Sequence, residues 1–224
     1  MKVSAIIPVL NEAQRVVGAV EKAWEAGADE VILCDGGSSD STVAIAKDLN
    51  CELLLSKQGR GIQQNQGVRK SQGECLLFLH ADTWLPSGGI AQIRHALTRR
   101  HCMGGSFVQH IEAKGWLYRL LEQGNAARAR LCLLPYGDQG LFFRRDFFER
   151  LGGFPEIPLL EDVRMMRRFR RFARPALLPG PLFVDPRRWQ QVGIARQSVR
   201  NWTLLIAEAM GVPPAQLARF YRFG

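Results

Sequence analysis

The stretch VSAIIPVLNEAQRVVGAVEKAWEAGADEVILCDGGSSDST spans residues 3–42, and its reading decides the fold. Val3–Val9 is an apolar run without alternation, the pattern of a strand buried on both faces. Asn11 then opens a helical stretch, with Glu12 in its first turn. Val16, Val17, Val20 and Trp24 follow at helical spacing, and Gly27 ends it. Glu30–Cys34 is a second apolar run, closed by a glycine-rich loop that starts at Asp35. Strand, helix and strand in this order make a right-handed crossover between parallel strands.

The pattern repeats outward from there. Thr42–Leu49 reads as a helix with Asp40 or Ser41 as its N-cap, and Cys51–Leu55 as a third strand. A loop holding Lys57 and Arg60 leads into a polar helix over Ile62–Ser71. Glu74–Leu79 is a fourth strand, and it ends in His80, Ala81 and Asp82. These units predict an α/β domain with a mostly parallel sheet flanked by helices. Such sheets bind ligands beyond the carboxyl ends of their strands. The four ends here carry Pro8, Val9, Asn11 and Glu12, then Asp35, then Lys57 and Arg60, then His80 and Asp82. That gathering of polar side chains predicts a ligand site rather than scattered surface polarity.

The second half is less regular. The spacing predicts helices over Ile90–Arg100, Trp116–Leu131 and Leu160–Ala173, and strands over Gly104–Ile111 and Gly140–Arg144. Short strands at Ala176–Leu178 and Leu182–Val184 precede two closing helices, about Val192–Met210 and Pro213–Arg222. Residues 1–190 read as the main domain and 191–224 as an amphipathic helical extension. Arg196, Arg200 and Arg219 alternate there with Trp202, Leu204, Leu205, Ile206, Phe220 and Tyr221. Such a tail fits a membrane surface, the domain's own flank or a second subunit.

Charge is distributed unevenly. Residues 1–140 hold 15 Lys and Arg against 14 Asp and Glu, whereas residues 141–224 hold 15 Arg, no Lys and 7 acidic residues. An arginine-only excess favours bidentate contact with phosphate or carboxylate. Five cysteines lack any CxxC spacing, which argues against a zinc site or a disulfide framework. Met1-Lys2 leads straight into the first strand, so the expected location is cytoplasmic, with peripheral contact at the inner face of the membrane as an option. The loop at Asp35–Thr42 has neither the GK[ST] ending of a P-loop nor a GxGxxG pattern, so Walker ATPases and dinucleotide enzymes lose support.

Four segments together, SAIIPVLNE, VILCDGGSSDST, NQGVRKSQGECLLFLHADT and YGDQGLFFRRDFFERLGGFPEIPLLEDVRMMRRFRR, resemble the family 2 glycosyltransferases of GT-A fold. The likeness runs from Val3 to about Trp189 and is greatest for a small soluble bacterial subgroup. It implies an inverting transferase that uses a nucleotide-sugar, with UDP-sugars favoured. It implies nucleotide contacts at Pro8, Val9, Asn11 and Glu12, a base-reading carboxylate at Asp35, and a nucleotide-side helix at Asn65 and Gly67. It implies a metal and diphosphate site at His80-Ala81-Asp82, a general base at Asp162, and a closing Arg-Trp at Arg188 and Trp189. Asp138, Glu161 and Trp189 are the candidates for holding sugar or acceptor, and Lys57 and Arg60 for meeting phosphate. Two departures stand out. His80 replaces the family's first aspartate, which favours Mn²⁺ over Mg²⁺, and Asp185 replaces the glutamine of QxxRW. The implied partners are the donor and a hydroxyl acceptor, lipid-linked or apolar if the tail meets a membrane. A homodimer stays open, and no nucleic-acid motif is present. Two other classes also stay open: a nucleotidyltransferase, and a non-enzymatic basic module that binds nucleotide or nucleic acid.

Overall fold

The computed structural model describes residues 1–220, so Tyr221 and Arg222 of the expected last helix lie outside the described residues. Strands β1 (Val3–Val9), β2 (Glu30–Asp35), β3 (Glu52–Leu55) and β4 (Cys75–Phe78) form the parallel half of one sheet. The other half is mixed. β5 (Thr83–Trp84), β6 (Gly104–Ile111), β7 (Leu141–Arg144) and β8 (Ala176–Val184) complete eight strands in the order β3-β2-β1-β4-β7-β6-β8-β5. β7 runs antiparallel to both β4 and β6, while β6 and β8 are parallel.

Alternation along β1 splits the core into two layers. Val3, Ala5, Ile7 and Val9 pack with Val16, Val20 and Ala23 of α1 (Val16–Glu25). Ile6 faces the other way, among Ile32, Leu76, Phe78 and Phe143. That second layer takes Val68 from α3 (Arg60–Lys70) and Met165, Met166 and Phe169 from α7 (Glu161–Phe169). α3 lies close because residue 67 is glycine: a methyl there would meet Cys34 Sγ at 2.9 Å. Gln63 then donates Nε2 to the carbonyls of Val9 (2.9 Å) and Cys34 (2.8 Å), tying α3 to the ends of β1 and β2.

Some elements differ from the sequence reading. α1 starts at Val16 rather than Asn11, because Asn11 takes a left-handed turn (φ 54°) and joins the next loop. α2 is only Thr42–Ala46. β8 is one strand, not two, and keeps its pairing by a bulge against Phe107–Gln109. α4 (Ala91–Leu97) and α5 (Trp116–Leu131) fall where expected, and a short α6 (Arg145–Arg150) follows β7 without a break. Gly193 (φ 88°) divides the tail into α8 (Arg187–Val192) and α9 (Ile194–Ala209), with α10 over Pro214–Phe220. α9 is anchored to α7, where Arg164 Nε donates to Glu208 Oε1 at 3.1 Å and Arg167 binds the other oxygen. Leu204 and Leu217 pack there with Leu159. Among the described residues no helix is long and apolar enough to cross a membrane.

Candidate functional site

The ends of β1, β2 and β4 meet the start of α7, a 3-10 turn at Gly137–Gln139 and the start of α8. The first two loops are locked together before any ligand arrives. The Asn11 amide donates to Ser38 Oγ (2.8 Å), and Asn11 Oδ1 accepts from the Ser39 amide (2.8 Å). Asp35, 1% exposed, accepts the amides of Gly37 (2.8 Å) and Ser38 (2.9 Å) and the Ser38 hydroxyl. Its carboxylate therefore organises the loop as well as ending β2. Asp40 accepts from the Thr42 amide (2.9 Å), which starts α2.

Next to this lies an ion-pair cluster. Glu12 Oε1 pairs with Arg187 Nη2 at 2.8 Å and Glu12 Oε2 with Arg15 Nη1 at 3.2 Å. Arg187 Nη2 also stands 3.8 Å from Asp82 Oδ2, and Arg15 Nε 3.4 Å from Asp185 Oδ2. Asp82 accepts the Asp185 amide on its own carbonyl (2.9 Å), which pins the β4 end to the segment before α8. Ala81 and Asp82 also line a small cleft with Arg15, Lys22 and Trp84. Arg188 makes no hydrogen bond or ion pair among the described residues, yet its charge acts on both His80 and Asp138. Trp189 is half-buried beside it.

His80 and Asp162 face the same spot. A methyl at Gly137 would lie 3.1 Å from Asp162 Oδ2 and 3.2 Å from His80 Nε2, so a side chain there would have to push one of them aside by a few tenths of an ångström. The Gly137 amide donates to Asp162 Oδ2 at 2.6 Å, and the Val163 amide to Oδ1 at 2.7 Å. Burial, with the charge of Arg60 second, lowers the His80 imidazole to about 4, and Asp82 and Asp162 oppose this only in part. His80 is therefore neutral at pH 7. Asp138 Oδ1 is buried with no partner among the described residues, and burial raises that carboxyl. A polar atom left so calls for a partner that the described side chains do not supply.

Glu161, 4% exposed, is the other unusual carboxyl. Burial, then the charge of Asp162, pushes it up to about 7, against the pull of Arg60, whose Nη1 is 4.0 Å away. An unfolded glutamate titrates near 4.5. Between those values the native state keeps a proton that the unfolded chain has released, so stability falls as pH rises through the window. Glu161→Gln should flatten the melting temperature between pH 5 and 8 and stabilise the protein above pH 8 by up to about 3 kcal/mol. Parallel pH profiles for both proteins would refute this.

Not every expected residue belongs to the cluster. Asn65 is spent elsewhere: Nδ2 donates to the Phe154 carbonyl (2.8 Å) and Oδ1 accepts the Phe154 amide (3.0 Å). It staples the Gly152–Glu156 loop, because that face of α3 turns to the loop. Lys57 is exposed and its side chain makes no hydrogen bond or ion pair among the described residues. Sequence reasoning missed Arg187 and Arg15. It also missed the support beneath Asp138, where Gln109 Nε2 donates to the Asp138 carbonyl (2.8 Å) and Asn125 Nδ2 to Gln109 Oε1 (2.8 Å). Arg128 bonds Asn125 and Gln139 and lies over the Tyr136 ring at 3.4 Å. The one available signal was the i,i+3 spacing of Asn125 and Arg128 on α5.

A divalent ion would find a carboxylate at Asp82 and a neutral imidazole at His80. Among the described residues no three His, Cys, Asp or Glu side chains converge as a complete metal site. The donor set therefore suits an ion whose remaining ligands come from a bound diphosphate and water.

Solved structures share this architecture. The mannosyltransferase of Pyrobaculum calidifontis in complex with GDP-Man and Mn²⁺ is 20% identical with a TM-score of 0.62, over 82% of this chain and 56% of that one. S. aureus TarS 1–349 in complex with UDP-GlcNAc is 16% identical with a TM-score of 0.65, over 83% and 58%. Glucosyl-3-phosphoglycerate synthase from Mycobacterium tuberculosis, solved with Mn²⁺, UDP and glucosyl-3-phosphoglycerate, is 19% identical with a TM-score of 0.60, over 82% and 70%. The chain thus spans little more than half the length of the first two. Among curated proteins no sequence matches it. These likenesses show the GT-A fold. The family model "Glycosyl transferase family 2" matches residues 4–170, three quarters of the sequence and every strand but β8, and on that ground the chain belongs to glycosyl transferase family 2.

Proposed function

We propose that the chain transfers a sugar from a nucleotide-diphosphate sugar, a UDP-sugar by preference, to a hydroxyl acceptor with inversion at the anomeric carbon. The observation that carries this reading is Asp162, held by the Gly137 amide directly across from His80. Its Oδ2 takes the acceptor proton as the hydroxyl oxygen bonds to the anomeric carbon, and the carbon–oxygen bond to the diphosphate breaks in the same displacement. One base and one displacement give inversion. Negative charge grows on the leaving diphosphate, and Arg187, Arg188 and Arg60 are the guanidinium groups beside Asp82 and His80 that offset it. A divalent ion, Mn²⁺ by ligand type, would be held by Asp82 and His80 and would supply further charge neutralisation there. Pro8, Val9, Asn11, Glu12 and Asp35 form the nucleotide side, and Asp138 with its orphan oxygen holds a sugar or acceptor hydroxyl. Glu161, whose carboxyl burial pushes up to about 7, stays behind Asp162 as a neighbour rather than a second base.

Calorimetric titration of UDP, GDP and ADP, with and without Mn²⁺, tests the donor site. One nucleotide should bind at least about tenfold tighter with the metal, and Asp82→Ala should erase that gain. Absence of binding to all three would overturn the reading.

A further inference from the structure

The helix α9 is turned inside out. Its buried positions are Gln197, Leu204 and Glu208, two of them polar. Gln197 donates Nε2 to Asn201 Oδ1 at 3.0 Å, and Glu208 is consumed by Arg164 and Arg167 of α7. Its exposed large apolar positions are Val199 (65%), Trp202 (64%) and Ile206 (56%), with Met210 (80%) just past its end, and Arg196, Asn201 and Thr203 are exposed beside them. At about 100° per residue the four apolar side chains fall in a single stripe opposite Glu208, with exposed Ala195 and Ala209 at its margins. A helix stabilised only by its own domain sorts such residues the other way round.

We propose that this stripe docks on an anionic lipid surface, with α9 lying in the plane of the bilayer interface. Charge points to the occupant. Residues 186–220 carry Arg187, Arg188, Arg196, Arg200 and Arg219 and one acidic residue, the already paired Glu208. The tail that carries the apolar stripe therefore brings no exposed acid of its own, and Arg196 and Arg200 follow one of the stripe's flanks at helical spacing. Indole rings favour the level of lipid headgroups, where Trp202 would sit. A second copy of the chain fits less well. The stripe from Val199 to Met210 is about 17 Å long and one helix wide, far short of the roughly 800 Å² per partner of a stable interface. A bilayer asks for no more than one such stripe, sunk about 5–10 Å.

The test uses the full chain with large vesicles of equal phosphatidylglycerol and phosphatidylcholine, and with phosphatidylcholine alone, read by co-sedimentation and tryptophan fluorescence. Binding should be selective for the anionic vesicles, with a blue-shifted emission. Trp202→Asp should weaken partitioning about tenfold or more. Arg196→Glu should remove the preference for anionic lipid. Both side chains are exposed, so circular dichroism and melting should match the wild type and separate lost docking from lost folding. The proposal is overturned by absent binding to anionic vesicles, or by unchanged binding of Trp202→Asp. It is equally overturned by a dimer that Trp202→Asp dissolves while vesicles are ignored, which would assign the stripe to a second copy. Nucleotide binding is not among these readouts, so the outcome is independent of the transfer reading.

Discussion

Asp162→Asn lowers the rate of sugar transfer about 1000-fold and leaves nucleotide affinity within about threefold of wild type. The amide is isosteric with the carboxylate. Its oxygen can still accept the Gly137 amide that Asp162 Oδ2 accepts at 2.6 Å, but its NH2 then faces the Val163 amide and gives up the 2.7 Å bond at Oδ1, so a melting curve is run beside the assay. The larger loss is the capacity to take a proton. The split is the informative part: steady-state transfer with a screened acceptor falls while calorimetric donor binding holds. Glu161→Gln, one residue away, should keep transfer within about tenfold, because that carboxyl is buried and its pKa is raised by the burial, which suits it less to act as the base. Full activity in Asp162→Asn would remove the base and leave nucleotidyl transfer, which needs no base for a sugar acceptor, as the better reading.

The second large effect is on stability. Phe143→Ala should cost about 4 kcal/mol in urea unfolding, or roughly 8–16 °C in melting temperature for a chain of this size. Phe143 is fully buried on β7. Its ring meets Phe148 at 5.3 Å, Phe169 at 5.6 Å, Phe78 at 5.8 Å and Phe154 at 6.2 Å, mostly edge to face. Those four rings come from four different segments, so truncation opens a cavity that no single element can move to fill. Phe143→Leu should retain more than half of the lost stability. A loss below about 1 kcal/mol for the alanine variant would mean that these rings are not the centre of the core.

How much of this was legible in the sequence depends on how local the cause is. β1 to β4 could be read because strands buried on both faces give continuous apolar runs. β5 has two residues, too few for any period. α6 starts at Arg145, directly after β7, with no breaker between them. Pro179-Gly180-Pro181 split one strand into two on paper, since proline removes a ladder donor, yet the bulge in the pairing with β6 accommodates it. In the proposed site, His80, Asp82, Asp162 and Arg188 could be named as candidates from sequence because each follows a strand or stands in a motif. The contact Asn65 makes was not legible, because it depends on where the Phe154 loop lies, 89 residues later. The pairing of Glu12 with Arg187 spans 175 residues and has no signature at either end. The inverted face of α9 was half visible: the alternation of Arg and apolar residues was plain, but which side turned outward was set by Arg164 and Arg167 on another helix.

The sheet order has a consequence for how the protein is made. β4 gets its second neighbour only from β7, and Phe78 pairs with Leu141. A ribosome adding about 5–20 residues per second therefore leaves β4 waiting on the order of 3–12 s for its partner. During that interval β3-β2-β1-β4 can already be assembled, with Cys75–Phe78 as an apolar, unpaired edge in the middle of the future sheet. The half-made protein thus presents an apolar strand with an open edge to the cell before the residue that covers it exists. Slower codons between residues 80 and 140 would lengthen that exposure, and a holdase recognising the β4 edge would be most useful to this chain while it is still attached to the ribosome.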